Sequence, residues 1–360
     1  MNYLFHLFSE PGFAPNLAPS SLQSEGFVHL SSADQVLRTA NRWFTEASEL
    51  KLLVLKTDKL GDTLKWEDTH GHGEDFPHLY SPIPEEAVAG VAVMRRTEGG
   101  SFEWPSLLNG LRTPLLEGLD TTPGLIEPSV RFPEKKLPSK CLLCFFQEAL
   151  EGLAGLEGWE LFEGLGSEIG ATDVWVYKNE LAVCHPGVGG PLGGATLEEL
   201  IALGCEEFVV CGGAGSLVPE QTLGHLVLVS SALRDEGLSH HYLAPGQFLE
   251  VDSAYLERLE KRLEMMGVSF TVGASWTTDA LYRETPEKVS RRRAEGCLTV
   301  EMELASLLAV AKYRGARLGA LLYCGDDLSS QEWDFRDWTS AHSTRERMFG
   351  LGLELLLDRD

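Results

Sequence analysis

Positive charge is scarce in this sequence of 360 residues. It has 30 lysines and arginines against 54 aspartates and glutamates, which gives a formal net charge of −24. A chain with this overall field repels the phosphates of nucleic acids and of anionic membranes, so we expect neither as a non-specific partner. A local pocket for a small anion is compatible with the same composition.

Long hydrophobic runs are also missing. No apolar segment reaches the length that a membrane-spanning helix needs. The first residues, MNYLFHLFSEPGF, lack the basic start and the long apolar core of a signal peptide. We therefore expect no membrane association and a cytoplasmic location.

Cysteine is sparse and confined to one part of the chain. All seven cysteines fall between Cys141 and Cys324, several of them in apolar runs such as KCLLCFF. An odd number of cysteines in strand-like segments indicates buried thiols rather than disulfides. The spacing of Cys141 and Cys144 resembles a redox pair, but a strand offers no helix N-terminus to activate a thiol. We interpret the pair as structural.

The chain is long enough to predict two domains, because it exceeds the size that one core usually supports. We assign residues 1–97 to a small α+β domain, 98–137 to a linker or arm dense in Gly and Pro, and 138–360 to a larger domain. In the first domain YLFHLF, GFVHLSS, LKLLVLKTD and GVAVMRR predict strands, and SADQVLRTANRWF predicts a helix. The stretch WEDTHGHGEDFPHLYSPIP is expected to be a loop.

After the linker, apolar strands alternate with amphipathic helices. The strands are KCLLCFF, ELAVC, EEFVVCGGAGSL, HLVLVSSAL, SFTVGASWT and ARLGALLYCGDDL, and the helices are TLEELIALG, SAYLERLEKRLEMMG and VEMELASLLAVAKYRG. Thr196 is expected to cap the first of these helices and Gly204 to end it. This alternation predicts an α/β domain whose ligand lies at the carboxyl ends of the strands.

Two carboxylates flank a methionine where the last of these helices is expected to begin, Glu301-Met302-Glu303. A solvated glutamate in a first turn complements the helix dipole, and Glu301 can be explained in that way alone. Two residues along a helix differ in direction by about 200°, so one of the two glutamates should face the strand-end crevice. A carboxylate there can accept two hydrogen bonds from a vicinal diol such as that of ribose.

A third carboxylate, Asp326, directly follows an apolar strand in CGDDLSS. A partly buried carboxyl group can act as a general acid, although aspartate is also common in turns and helix caps. The glycines of CGGAGSL allow a ligand to approach the backbone closely, which is weak evidence by itself.

Taken in order, HPGVGGP, EELIALG, CGGAGSL, RDEGLSHHYLAP, TTDALY, VEMELA and YCGDDLS resemble the motifs of the nucleoside phosphorylase/nucleosidase superfamily over residues 138–357. The resemblance implies a three-layer α/β/α domain with a mixed sheet that cleaves N-glycosidic bonds. By position, Glu303 would hold the ribose 2′- and 3′-hydroxyls, Met302 would pack against the sugar, and Asp326 would protonate the departing base. The other substrate-binding positions that it implies are Glu301, Gly213, Ala214, Asp279, Leu281 and Tyr282.

The phosphate-binding arginines of the phosphorylases are missing from the matching positions. The loop FFQEALEG has no arginine. Val210, where another arginine would stand, precedes the glycine-rich motif CGGAGSL, which we call the glycine cradle. Nucleosidases of the superfamily place a glutamate after the first strand to activate water, and Glu148 and Glu151 occupy that loop. This favours hydrolysis over phosphorolysis. A solvated helix face is the alternative for both glutamates, and Arg234 and Arg283 remain candidates for an anion site.

The first domain resembles the DUF952 family, of unknown function, whose fold is similar to that of ADP-ribosyltransferases. EGFVHLSSADQVLRTANRWF and LKWEDTHGHGEDFPHLYSPIP carry this resemblance, over residues 1 to about 95. It implies a cleft for a nucleotide or sugar fragment, lined by His6, His29 and His78. HGHGEDFPH, with His70 and His72, also suggests a metal, but its spacing fits no zinc pattern and we expect none.

Three hypotheses follow. The first is an enzyme that splits nucleoside N-glycosidic bonds, with no cofactor except phosphate as a co-substrate if it is a phosphorylase. The second is a protein that senses a nucleoside or ADP-ribose without catalysis. The third is a bifunctional enzyme acting on NAD-derived ligands. The expected partners are a small nucleoside and further copies of the same chain, at least as a dimer.

Overall fold

A computed structural model describes residues 3–9, 18–69, 71, 73–97, 99–105, 108, 115, 122–167, 170–244, 246–330 and 332–357. The chain divides into two compact units, Met1–Asp120 and Thr121–Asp360. Within the described ranges, no helix combines the length and the apolar composition that crossing a membrane requires.

The described strands of the N-terminal unit form two antiparallel three-stranded sheets, in the orders β1-β3-β6 and β2-β5-β4. Its strands are β1 (Tyr3–Phe8), β2 (Val28–His29), β3 (Glu49–Lys56), β4 (Leu64–Glu67), β5 (Phe76–Leu79) and β6 (Val88–Arg95), and its helices are α1 (Ser20–Ser24) and α2 (Val36–Trp43). Alternation along β3 sends Leu50 and Leu52 into one apolar cluster and Leu53 and Leu55 into another. The sheet is therefore buried on both faces.

One expectation for this half of the chain was wrong in part. The stretch predicted as loop contains the end of β4 and all of β5, because Phe76–Leu79 pairs with β2 and β4 on either side. The segment expected as a linker is partly packed. Phe102 is buried with the N-terminal core and forms a bridge with Arg96, and Leu137 is buried with the C-terminal core.

The C-terminal unit begins with short elements and continues as alternating strands and helices. Its strands are β7 (Lys140–Cys144), β8 (Trp159–Ser167), β9 (Gly170–Tyr177), β10 (Leu181–Cys184), β11 (Glu207–Ser216), β12 (Leu226–Asp235), β13 (Phe248–Glu250), β14 (Thr271–Thr278), β15 (Cys297–Glu301) and β16 (Arg317–Asp327). Its helices are α3 (Pro128–Arg131), α4 (Gln147–Glu151), α5 (Gly190–Ala202), α6 (Ser239–Tyr242), α7 (Ser253–Met265), α8 (Pro286–Ala294), α9 (Leu304–Arg314) and α10 (His342–Leu356).

The described strands of this unit make one ten-stranded mixed sheet. β7, β11 and β16 are parallel neighbours, whereas β15 runs antiparallel to β11. Because β16 also pairs with β12, and β14 joins β12 to β15, five strands close into a ring. Helices α5 and α6 pack on α9, while α7 and α10 pack together and both contact β16. The mixed α/β prediction is confirmed.

Two local predictions have different outcomes. Helix α5 begins at Gly190, six residues before the expected cap, so Thr196 lies inside the helix. The turn before it holds Gly189 at a φ of 89°, a conformation that favours glycine, and Pro191 follows within the first helical turn.

The interpretation of the cysteines is confirmed, because all seven are free and buried. Burial raises the pKa of Cys141, and it raises that of Cys144 to about 12.

Candidate active site

The Glu-Met-Glu segment joins a strand to a helix instead of starting the helix. β15 ends at Glu301, and α9 starts at Leu304 with Glu303 as its N-cap residue. The expectation that the two glutamates project from one helix was therefore wrong. The apolar run that predicted a helix continues back into a buried strand, and periodicity cannot locate such a boundary.

Glu301 is buried and holds this junction together. One carboxylate oxygen accepts hydrogen bonds from Thr277 Oγ1 at 2.6 Å and Ser275 Oγ at 3.3 Å. The other accepts from the backbone N–H groups of Glu303 at 2.8 Å and Leu304 at 2.6 Å. Burial raises the pKa of Glu301, although these hydrogen bonds oppose the rise. The group supports the start of α9, but it is buried rather than solvated, and its lone pairs are used within the protein.

Glu303 faces the turn before α5. Its Oε1 accepts a hydrogen bond of 2.6 Å from the backbone N–H of Gly189, and its side chain is only 8% exposed. Burial, followed by the charge of Glu301, raises the pKa of Glu303 to about 7. The nearby charge of Asp279 contributes in the same direction. Backbone hydrogen bonds from Gly189 and Met302 oppose the rise, and these two donors leave the Glu303 carboxylate with further accepting capacity.

The glycine cradle lies between the strands that carry Glu301 and Asp326. Gly215 on β11 is opposite Val300 on β15. On the other side β11 and β16 lose register, because Ala214 pairs with Cys324 and Ser216 with Asp327. This bulge sets Gly325 and Asp326 against the single residue Gly215. A Cβ atom at Gly215 would lie 3.4 Å from Asp326 Oδ1 and 2.5 Å from Leu328 Cδ1, so a larger residue here would displace the Leu328 side chain and narrow the space beside Asp326.

Asp326 is partly exposed at the end of β16, with a second carboxyl group nearby. Its Oδ2 accepts a hydrogen bond of 2.6 Å from Trp333 Nε1. Burial, followed by the charge of Asp326, raises the pKa of Glu284 to about 7, and Lys288 opposes the rise. Glu284 and Trp333 were not found from the sequence. Glu284 is the second residue after the TTDALY motif, which was the available signal.

The loop after β7 lies beside the other end of the cradle. Glu148 Oε1 accepts a hydrogen bond of 2.7 Å from Arg345 Nη1, and Arg345 Nε donates to Tyr323 Oη at 3.2 Å. The ring of Tyr323 would be 3.1 Å from a Cβ atom at Gly213. Partial burial raises the pKa of Glu148, but the hydrogen bond and charge of Arg345, a backbone hydrogen bond and the charge of His342 together outweigh burial, and the pKa is lowered. Arg345 lies on α10, far along the chain, and no sequence motif pointed to it.

Four of the other residues predicted from the sequence are exposed. Glu151 is on the exposed side of α4, with a hydrogen bond of 3.5 Å from Gln147, which fits the solvated alternative. Leu281 and Tyr282 lie on a 3₁₀ turn with 47% and 92% of their surface exposed, and Arg283 is exposed beside them. All three side chains are therefore largely open to solvent in the single chain.

The last two residues predicted to contact substrate, Asp279 and Arg234, instead make hydrogen bonds to loops. Asp279 accepts a hydrogen bond of 2.8 Å from Gly237 N. Arg234 is buried, and it donates to Ser239 Oγ at 2.8 Å and to the carbonyl oxygens of Ala244 at 2.7 Å and Leu243 at 3.1 Å. Burial lowers the pKa of Arg234. The expectation that it might hold an anion is not supported, because its guanidinium already holds the loop after β12.

The family model described as "Phosphorylase superfamily" matches residues 143–353, more than half of the chain. The chain belongs to the phosphorylase superfamily. The DUF952 model, a protein family of unknown function, matches residues 12–91. Both resemblances predicted from the motifs are confirmed, whereas the likeness of the first unit to ADP-ribosyltransferases stays a prediction.

Several curated relatives share this superfamily fold region. Guanosine phosphorylase of Halorubrum lacusprofundi is 32% identical over 142 residues, which cover 39% of this chain and 59% of that protein. Uridine phosphorylase of Escherichia coli K12 is 30% identical over 152 residues, 38% of this chain and 60% of that protein. The chain therefore spans about three fifths of the length of these relatives.

Solved structures agree on the fold. Uridine phosphorylase from Vibrio fischeri ES114 superposes with a TM-score of 0.52 at 21% identity, covering 65% of this chain and 95% of that one. AMP nucleosidase from Bacteroides thetaiotaomicron gives 0.50 at 21% identity, covering 63% and 91%. Likeness at this identity establishes the phosphorylase-superfamily fold of the C-terminal unit and nothing about its chemistry.

The three histidines predicted to share a cleft in the N-terminal unit are brought together. His6, His29 and His78 all line one cavity of about 1040 Å³. His70 and His72 lie outside the described residues. Among those that are described, no group of three or more His, Cys, Asp or Glu side chains is arranged to hold a metal ion.

Proposed function

We propose that the C-terminal unit cleaves the N-glycosidic bond of a nucleoside by hydrolysis. The observation that carries the proposal is that the strand leading to Glu303, β15, and the strand carrying Asp326, β16, lie on either side of the glycine cradle of β11. Glu303 has a carboxylate with spare accepting capacity for the ribose hydroxyls. Asp326 is partly exposed and can reach a leaving base.

The reaction needs three groups. Asp326 donates a proton to the base nitrogen, which takes the electron pair of the breaking N-glycosidic bond. Water adds to the sugar carbon, and Glu148 accepts the proton that the water loses. The support for Glu148 is its ion pair with Arg345, which keeps the carboxylate in its ionised, proton-accepting form beside the cradle.

Phosphorolysis is the second candidate, and Arg345 is the observation that favours it. Its guanidinium is 15% exposed and lies beside the cradle, where a phosphate could displace Glu148 as its partner. The guanosine and uridine phosphorylases among the relatives point the same way. Phosphate binding at Arg345 would break the Arg345–Glu148 pair, and it would bring an anion to a chain of charge −24. Both effects disfavour phosphorolysis.

The deciding experiment is chromatography of free base released from purine and pyrimidine nucleosides, methylthioadenosine and NAD, with and without phosphate. Hydrolysis predicts phosphate-independent release with free ribose as the product. Glu148→Gln should reduce the rate by about 10²-fold, since a general base is lost, whereas Glu151→Gln should leave it unchanged. Release only with phosphate, giving ribose 1-phosphate, would establish phosphorolysis instead. No release, with ligand still bound, would favour a sensing role.

We also propose that the site is completed by assembly into at least a dimer. Leu281 and Tyr282 end the TTDALY motif that the resemblance places at the base, yet they are exposed in the single chain. Sedimentation velocity of the wild type and of Tyr282→Ala tests this, because a covered Tyr282 should contribute to association. A monomer with full activity would contradict it.

A further inference from the structure

The cleft of the N-terminal unit is built around a row of three imidazoles on adjacent strands. His29 on β2 and His78 on β5 are cross-strand partners, with ring centroids 5.3 Å apart. His6 on β1 continues the row, because its Nδ1 lies 2.9 Å from the carbonyl oxygen of His29. His6 and His78 are only 8% and 2% exposed. Such buried polar rings weaken an apolar core, so their concentration in one cavity indicates a binding function.

Carboxylates stand behind two of these rings. Glu25 Oε2 is 3.0 Å from His29 Nε2, and Glu67 Oε1 is 3.4 Å from His78 Nδ1. Glu67 also accepts a hydrogen bond of 2.5 Å from Tyr80 Oη. These pairs fix the orientation of the imidazoles and leave carboxylate lone pairs at the cleft. Carboxylate and imidazole together suit a ligand that presents several hydroxyl donors.

The charge of the lining excludes one class of ligand. Among the described residues the cleft is lined by four carboxylates and two arginines, so its formal charge is −2 with neutral imidazoles. Arg38 is already paired with Glu74, at 2.7 Å and 3.0 Å. Arg42 lies over the ring of Trp43, 5.1 Å from its centroid. A phosphate or pyrophosphate would meet net repulsion here, so a dinucleotide or nucleotide is a poor fit.

Aromatic side chains supply the apolar part of the cleft. Phe76 lines it beside the imidazole row, and Trp43, which is 63% exposed, lines it from α2. Aromatic faces bind planar rings favourably. Aromatic faces in a negatively charged cleft also attract a cation. The cavity, at about 1040 Å³, is at the upper end of the range for small-molecule sites.

We propose that this cleft binds an uncharged or cationic ribonucleoside, with the imidazole row and its carboxylates holding the sugar hydroxyls and the aromatic side chains contacting the planar base. The preference for a nucleoside over another hydroxylated ring compound rests on the proposed function of the C-terminal unit. The cleft is then a second nucleoside site in the same chain, one that discriminates against phosphate.

The test is isothermal titration of the full chain carrying Asp326→Asn, so that turnover is blocked. The probes are adenosine, guanosine, uridine and the cationic 7-methylguanosine, each compared with its 5′-monophosphate, and ribose and the free bases are separate arms. We expect a binding event that survives Glu303→Gln and is weakened at least about tenfold by His29→Ala. The monophosphates should bind this site at least about tenfold more weakly than the nucleosides.

Controls separate binding from folding. His29→Gln keeps a polar group on β2 and should bind more tightly than His29→Ala, while Arg95→Ala changes an exposed residue of the same unit outside the cleft and should bind normally. Equal binding of nucleoside and monophosphate at the His29-dependent site would overturn the proposal, and so would a titration that His29→Ala leaves unchanged. Binding of ribose or free base alone with the full affinity would overturn the nucleoside assignment. Failure of the proposed enzyme is seen separately, as absent base release with Asp326 intact.

Discussion

Carboxylates line both candidate sites, but they are held by different kinds of partner. In the C-terminal unit, Glu301 is fixed by two backbone N–H groups and two buried hydroxyls. In the N-terminal cleft, Glu74 is held by the side chains of Arg38 and Gln35. Backbone donors cannot move without moving a strand or a helix, whereas side-chain pairs can exchange with a ligand or with water.

This difference matches what each site is proposed to do. A reacting sugar must be held within a fraction of an ångström of its acid and its nucleophile, which requires rigid positioning. A binding cleft gains more from pairs that re-form around several ligands. The backbone-held carboxylates should therefore be sensitive to substitution, and the side-chain-held carboxylates should tolerate it.

The largest effect is expected at Asp326. Asp326→Asn removes the proton donor, so base release should fall by about 10²- to 10⁴-fold in kcat. The amide oxygen can still accept the hydrogen bond from Trp333, so the melting temperature should stay nearly the same. Chromatographic rates and thermal unfolding measure the two quantities. Asp334→Asn, on the loop that pairs with β16, is the matched control and should retain its rate.

The next effect separates the two glutamates of one motif. Glu301→Gln replaces an acceptor oxygen by an amide that donates, so buried donors lose their partner and unfolding should become easier by about 2 to 4 kcal/mol. Glu303→Gln keeps an oxygen that can accept the hydrogen bond from Gly189, so it should lower substrate binding with little loss of stability. Urea unfolding at pH 5 and KM values measure the contrast. Similar stability losses for both variants would show that Glu303 is structural too.

The sequence predicted much of this site because its signals are local. Strand-end glycines, an acid after a buried strand and the Glu-Met-Glu order are all short-range features, and the elements that they mark, β11, β16 and the segment after β15, are neighbours in the sheet. The junction at Glu301 was misplaced because a buried strand and a buried helix share the same apolar composition.

Other site residues could not be predicted from the sequence, for a physical reason. Arg345 meets Glu148 across 197 positions of sequence, and no local pattern encodes such a pairing. Glu284 was passed over because its role depends on burial and on the charge of Asp326, neither of which composition reveals. Conversely, Arg234 looked available because its sequence position does not show the three oxygen acceptors that occupy it.

A smaller effect concerns pH. The pKa of Glu303 in the folded protein is about 7, above its ordinary value of 4.5. Between these values the folded protein binds more protons than the unfolded chain, so this group makes stability fall as the pH rises from 4.5 to 7. Glu303→Gln removes that loss. Its free energy of unfolding relative to wild type should therefore rise with pH, by at most about 3 kcal/mol.

Urea unfolding of the C-terminal unit at pH 4.5, 6 and 8 measures this dependence. Glu257→Gln is the control, because Glu257 is an exposed helix residue paired with Lys261, and its pKa is lowered rather than raised. The relative stability of that variant should not rise with pH. Parallel curves for wild type and Glu303→Gln would mean that the carboxylate is solvated in the folded protein.

The smallest effect is expected at the side-chain pair of the N-terminal cleft. Arg38→Ala breaks an ion pair whose partners are 63% and 38% exposed, and water and salt already screen such a pair. Glu74 keeps the amide of Gln35 at 3.1 Å, so its position should survive and the unfolding midpoint should not change measurably. Because the variant makes the cleft more negative, binding of 7-methylguanosine should strengthen relative to guanosine. Thermal unfolding and titration with both nucleosides check these outcomes. Arg38→Ala could instead destabilise the N-terminal unit as much as Glu301→Gln destabilises the C-terminal unit. The cleft carboxylates would then be structural, and the proposed difference between backbone-held and side-chain-held carboxylates would be wrong.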